Sequence, residues 1–147
     1  MALRDLELTD ASVPESAELA EAVAELFAAR VPAIAVLDAE RRVLGILSER
    51  DVLRAVFPGY LAEIRHSAFL PDDAAGLEEL AARARDRSVR DFVRTSELLD
   101  ASDSQIHAAE RLMHSGDDAL PVVENGRFIG MLSVAGLCHA RLDRQPS

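Results

Sequence analysis

The chain carries one pattern twice. Gly45-Ile46-Leu47-Ser48-Glu49-Arg50-Asp51 returns in weakened form as Gly130-Met131-Leu132-Ser133-Val134-Ala135-Gly136, an offset of 130 − 45 = 85 residues. Leu26-Phe27 is echoed by Leu112-Met113, at 112 − 26 = 86 residues. Two copies of one unit predict packing about a pseudo-twofold axis with a cleft between the copies. The copies differ where it matters. The first heptapeptide ends in Asp51, the second in Gly136, so the two ends of such a cleft are not equivalent.

Around each heptapeptide the pattern reads as helix, strand, strand, helix. Ser16 to Arg30 predicts a helix, with Ser16 as N-cap and Leu19, Val23, Leu26 and Phe27 on one face. Ala33-Ile34-Ala35-Val36-Leu37 and Val43-Leu44-Gly45-Ile46-Leu47 are short apolar runs of buried-strand type, joined by the polar turn Asp38 to Arg41. Ser48 then opens a helix through Val52, Leu53 and Val56, with a continuation past Pro58-Gly59 into Tyr60-Ile64. The second unit repeats the order. Ser102 to Ser115 predicts a helix with Ile106, Ala109, Leu112 and Met113 inward. Ala119 to Val123 predicts a strand with Pro121 near its start or on an edge. Asn125-Gly126 is a hairpin signal, Phe128 to Leu132 the return strand, and Ser133 the start of a closing helix that ends near Leu142. The expected organisation is a first repeat over 1–67 that includes a ten-residue lead-in, a connection over 68–90, and a second repeat with its tail over 91–147. In the connection, Pro71-Asp72-Asp73 forms a turn or cap. Leu77, Leu80, Ala81 and Ala84 make an amphipathic helix that serves as a lid, a partner surface or a cover for a sheet. The fold class is α/β: two pseudo-twofold-related units whose small sheets pack on helices.

Composition limits the function classes. The net charge is −10, the wrong sign for a general nucleic-acid binder. All 16 basic residues are arginine, so any phosphate or carboxylate meets planar, fork-shaped donors. No apolar run approaches the roughly 18 residues of a membrane span, and Met1-Ala2-Leu3-Arg4-Asp5 lacks a secretory signal pattern. Cytoplasmic location is the expectation. Cys138 is the only cysteine and is expected as a small core residue. Of the four histidines, only His107 and His114 share a helix face, without a Cys or acidic companion at ligand spacing, so no metal is expected. Asp72-Asp73 and Asp117-Asp118 read as turn residues. No nucleophile elbow, phosphate-cradling glycine loop or base–nucleophile pair is present, so an enzyme is not expected.

The apolar-Pro-Val-Val-acid strand Leu120-Pro121-Val122-Val123-Glu124, its looser counterpart Ile34 to Asp38, and the Gly45-to-Asp51 heptapeptide resemble the CBS-domain family, named after cystathionine β-synthase. The resemblance spans about Val13 to Asp143, with Ala68 to Arg90 between the repeats. It implies a tandem CBS pair with two three-stranded sheets packed against helices. It also implies clefts that often bind adenine nucleotides or related adenosyl compounds, and frequent homodimerisation.

Ser48 lies where a strand gives way to a helix, and unpaired amides and the helix dipole suit that point to an anion. Asp51, one turn on, is able to accept both hydroxyls of a ribose diol. The resemblance implies that residues at these positions contact phosphate or ribose. It also implies that Val13, Ala33 and Ile34 face an adenine ring, with plain core packing as the alternative for these three. Arg50 lies inside the motif, and Arg30, Arg54 and Arg127 are further phosphate candidates. The alternative for Ser48 and Asp51 is a capping box that needs no ligand. In the second copy Ser133 keeps the cap while Gly136 supplies no diol acceptor, so one competent ribose site is expected, in the first repeat, with Ser133 marking a possible second.

The function expected is a regulatory module without a required cofactor. It binds AMP, ADP, ATP or S-adenosylmethionine between the repeats, acts as a homodimer and signals to a regulated protein that the sequence does not name. The alternative is a ligand-free structural or protein-interaction module of the same fold.

Overall fold

The computed structural model describes residues 1–57 and 76–143. The elements are β1 (Ser12–Pro14), α1 (Leu19–Ala29), β2 (Ala33–Leu37), β3 (Val43–Ser48), α2 (Glu49–Val56), α3 (Leu77–Arg85), β4 (Leu99–Asp100), α4 (Gln105–Ser115), β5 (Ala119–Glu124), β6 (Arg127–Ser133) and α5 (Val134–Leu142). Short 3-10 turns at Leu3–Asp5 and Val89–Asp91 precede the two halves. The strands form two three-stranded sheets, ordered β1-β2-β3 and β4-β5-β6. In each, the middle strand runs parallel to the short first strand and antiparallel to the third. This is the mixed α/β architecture of two small sheets and packed helices that the repeat predicts.

The hairpins explain why the repeat offset changes from 86 to 85. Leu37 pairs with Val43, and Val123 pairs with Phe128. The first hairpin therefore holds one residue more. Asp38 closes it, its Oδ1 accepting from the Glu40 and Arg42 amides at 2.9 Å each. The shorter turn needs two left-handed residues, and Asn125 (φ 53°) and Gly126 (φ 79°) supply them, as a type I′ hairpin requires.

The two halves exchange their leading segments. Ala2 bridges Ser104 at the start of α4, and Ser88 bridges Glu18 at the start of α1. Leu3 is fully buried in the core of the second half, Val89 in that of the first. Thr9 then pairs with Met131 on β6, and Arg94 with Ile46 on β3. Each segment thus adds to the far edge of the other half's sheet. The edge is opened by a bulge at Leu44 and at Ile129, each just before a glycine. Gly45 has no room for a β-carbon, which would strike the Arg94 carbonyl and come within 2.8 Å of a Val93 methyl. The lead-in read from sequence as preceding the first unit is therefore packed on the second.

Several helix details differ from the sequence reading. α1 begins after Glu18, whose amide donates to the Glu21 carboxylate at 3.2 Å, so Ser16 is not the cap. α4 is capped by Ser104, which accepts from the His107 amide. The inward faces are Leu19-Ala22-Leu26 and Ala108-Leu112. Phe27, Ile106 and Met113, expected in the apolar stripes, are 87%, 83% and 82% exposed. Small alanines let the helices lie close on the sheets and turn the large side chains outward. Pro121 sits in the middle strand rather than on an edge. It is tolerated there because β4 pairs only opposite Val122 and Val123, leaving Pro121 outside the parallel ladder. Cys138 is exposed rather than buried. The helix expected in the connection is α3, which packs on α1 and α2 and buries Ala84, while Ala81 faces outward. The turn expected at Pro71-Asp72-Asp73 and the α2 continuation to Tyr60-Ile64 lie outside the described residues.

Candidate functional site

Ser48 ends β3 in extended backbone (φ −94°, ψ 161°), which aims its side chain at the first turn of α2. Its Oγ accepts from the Asp51 amide at 3.1 Å. Asp51 answers through Oδ2, which accepts from the Ser48 amide at 2.9 Å and the Ser48 hydroxyl at 2.8 Å. The capping box is closed, and α2 starts with two of its loose amides satisfied.

The cap does not exhaust Asp51. Arg94 Nε donates to Oδ2 at 3.0 Å and Oδ1 at 3.2 Å, and Arg54 Nη1 lies 3.6 Å from Oδ1. The other end of the Arg94 guanidinium holds Asp117, with Nη2 at 2.5 Å from Oδ1 and Nη1 at 3.4 Å from Oδ2. Asp51 belongs to the first half, Arg94 and Asp117 to the second. The three side chains therefore form an ionic bridge between the repeats, at the boundary where the repeat pattern predicts a cleft. The carboxylates are the sheltered members, 12% and 11% exposed, while the arginine is 41% exposed. Burial alone pushes the Asp51 carboxyl up. The Ser48 amide and hydroxyl and the Arg94 charge outweigh it and hold the group below its ordinary value. Arg94, bonded to Asp117 and facing Asp51, is held more firmly protonated than usual.

Arg94 and Asp117 are the residues that the sequence reading missed. Arg94 carries no motif of its own, and Asp117 reads as a turn residue. One signal was available. Val89-Arg90-Asp91-Phe92 repeats Leu3-Arg4-Asp5-Leu6, so the lead-in is itself part of the duplicated unit. Extending the repeat that far would have placed Arg94 in the lead-in of the second unit, though not the exchange that carries it to the Gly45 strand.

The other predicted residues are placed as follows. Ala33 pairs with Ser48 across the hairpin and Ile34 with Leu47. Val13 pairs with Val36 on the opposite side of β2. All three are core residues, with Ala33 and Ile34 at most 1% exposed. Arg50 is exposed on α2. Arg30 ends α1 in left-handed backbone and lines a groove of about 660 Å³ with Leu26, Phe27, Val31, Pro32 and Glu49. Ser48 and Asp51 do not line that groove. Arg127 is exposed at the start of β6, far along the hairpin from the caps.

The second half repeats the cap without the chemistry. Ser133 Oγ accepts from the Gly136 amide at 2.9 Å, and Gly136 has no side chain to close the box. The repeat positions matching Asp51 and Asp117 hold Gly136 and Val31, and Thr9 takes the place of Arg94 in the backbone bridge to the third strand. Among the described residues, the charged bridge exists on one side of the pseudo-twofold only.

The CBS-domain profile matches residues 3–58 and 89–143. A CBS domain-containing protein of unknown function from Kribbella flavida has the same fold, with a TM-score of 0.73 at 19% identity over 97% of this chain and 99% of that one. A CBS domain protein from Pyrobaculum aerophilum, solved in complex with AMP, superposes with a TM-score of 0.72 at 24% identity, covering 98% of this chain and 93% of that one. An uncharacterised 17.7 kDa protein of Acidianus ambivalens is 24% identical over 132 residues, which are 89% of this chain and 66% of that protein. With both halves matched and the duplicated architecture in place, the chain belongs to the CBS-domain family and carries one CBS domain in each half.

Proposed function

We propose that the protein is a regulatory module that binds an adenosine-containing ligand, of the AMP, ADP, ATP or S-adenosylmethionine class, between its two CBS domains. The observation that carries this reading is the placement of Asp51. It is a sheltered, ionised carboxylate at a helix N-terminus, on the boundary between the repeats, and its counterpart is a glycine. A ribose diol needs such an acceptor, and the amides of the α2 N-terminus and the arginines nearby suit an attached phosphate. The AMP-bound relative from Pyrobaculum aerophilum supports the ligand class. Ser48, Asp51 and Arg50 are the anchors in this reading. Contact of an adenine ring with Val13, Ala33 and Ile34 requires the cleft to open onto them, since they are buried here. The role is regulatory rather than catalytic, and Ser133 marks at most a weaker second site.

We further infer a homodimer formed through the exposed apolar residues of the helices. Phe27, Met113, Ile106 and Leu53 stand clear of both cores, large apolar side chains that a second copy would remove from water. Among the described residues no helix is long and apolar enough to cross a membrane.

A second reading, a ligand-free interaction module, is favoured by one observation. Ser48 and Arg94 already satisfy Asp51. Thermal unfolding against a panel of adenine nucleotides and S-adenosylmethionine separates the two. A ligand at about a hundred times its dissociation constant stabilises by about 2.7 kcal/mol, several degrees for a chain of this size. Failure of every compound to shift the transition contradicts the nucleotide reading and favours the interaction module.

A further inference from the structure

The nucleotide reading sets a ribose diol on Asp51, and the structure sets a guanidinium there. Asp51 Oδ2 already accepts from the Ser48 amide, the Ser48 hydroxyl and Arg94 Nε. Oδ1 is shared with the same Nε. A diol that binds both oxygens meets Arg94 before it meets a free carboxylate.

We propose that Arg94 is the specificity-determining residue of the Asp51 site, a resident cation that the ligand must displace and that a phosphate-bearing ligand re-pairs. The proposal rests on the nucleotide reading above and names the ligand class more narrowly, as ribonucleoside phosphates over nucleosides.

Three features carry it. Arg94 is anchored twice, by Nε on Asp51 and by its Nη pair on Asp117. It is therefore able to release Asp51 and stay at the repeat boundary, held by Asp117. Next, the Arg94 side chain is 41% exposed while both carboxylate side chains are nearly covered, so a ligand coming from solvent reaches the arginine before either carboxylate. Charge then decides which ligands profit. A neutral nucleoside offers Asp51 two hydroxyls in place of an ion pair and gives Arg94 nothing in return. A phosphate on the same ribose gives Arg94 a new anionic partner, of the kind its planar fork binds best.

The fold does not demand an arginine there. Thr9 makes the same backbone bridge to Met131 that Arg94 makes to Ile46, without a charged side chain. Where Thr9 takes the place of Arg94 in that bridge, Gly136 stands at the repeat position of Asp51 and Val31 at that of Asp117. The guanidinium and both of its carboxylates are present together on one side of the pseudo-twofold and absent together from the other, among the described residues, which marks them as one device.

The test is calorimetric titration of the full chain with AMP, 2′-deoxy-AMP and adenosine, for wild type, Arg94→Ala and Arg94→Gln. The glutamine variant keeps a polar side chain and carries the test if the alanine variant folds poorly. Wild type is expected to bind AMP about tenfold or more tighter than adenosine, the worth of one charge-assisted contact. In both variants that ratio is expected to fall to about threefold or less, with adenosine bound more tightly than by wild type because nothing need be displaced. The preference for AMP over 2′-deoxy-AMP, which reports the diol on Asp51, is expected to persist. Equal binding of AMP and adenosine by wild type, or a wild-type ratio kept in both variants, overturns the role of Arg94 and leaves the nucleotide reading standing. Absence of binding by all three proteins overturns the nucleotide reading and this inference with it.

Discussion

Arg94 Nε lies 3.0 Å from Asp51 Oδ2, joining residues 43 apart in the chain and on opposite sides of the repeat boundary. The contact exists because the segment leading into the second CBS domain is spent completing the sheet of the first. The backbone bridge between Arg94 and Ile46 fixes the arginine, and the capping box fixes the aspartate.

Acid should weaken this arrangement. The Asp51 carboxyl titrates below its ordinary value in the folded chain. Its contribution to stability is therefore complete above the unfolded value and is lost as pH falls through the folded one. The stability difference between wild type and Asp51→Asn should stay constant from pH 7 to about 5 and shrink below about pH 4. Urea unfolding at a series of pH values measures it. A difference that grows on acidification contradicts the assignment.

Gly45 should tolerate no side chain. Its β-carbon would strike the Arg94 carbonyl, which is backbone and has no rotamer to retreat to. Gly45→Ala should lose about 2–3 kcal/mol, the range of core overpacking. Gly136→Ala meets the Ser133 Oγ at 3.0 Å and a Leu132 methyl at 3.9 Å, both side-chain atoms, and should change stability by no more than about 1 kcal/mol. Similar losses at the two positions would mean that the crossover of the Arg94 segment is not tight.

The two serine caps should differ. Ser133→Ala removes one acceptor from the start of α5 and should cost about 1 kcal/mol. Ser48→Ala also removes a donor to Asp51, so its loss should exceed that of Ser133→Ala. Chemical denaturation of both variants checks the order, and a smaller loss at Ser48 would show that Arg94 alone suffices to hold Asp51.

How much of this was legible in the sequence follows from how far each signal extends along the chain. The heptapeptides, the strand pairs and the Asn125-Gly126 turn each write a local pattern, and the fold follows them. β1 and β4, three and two residues long, are too short to show a period. The outward turn of Phe27 and Met113 was hidden because large apolar residues dominate a helical stripe, whereas the sheets are met by Ala22 and Ala108. The capping box was readable because both its members lie within one turn. Arg94 was not, because its partners are set by an exchange of segments between the halves.

The exposed apolar residues carry their own expectation. Phe27 and Met113 occupy matching positions in the two repeats and face away from both cores. Light scattering should give the mass of a dimer for wild type and of a monomer for the double variant Phe27→Glu/Met113→Glu, with unchanged circular dichroism. A monomeric wild type would contradict the dimer.

The central claim is that Asp51 is the anchor of one nucleotide site per chain. Titration calorimetry of AMP into wild type and Asp51→Ala tests it most directly. The account predicts one AMP bound per chain by wild type, with affinity reduced at least about tenfold in the variant, roughly the worth of hydrogen bonds to a charged group. Equal affinity in the two proteins would contradict it, and would leave Asp51 as a helix cap alone.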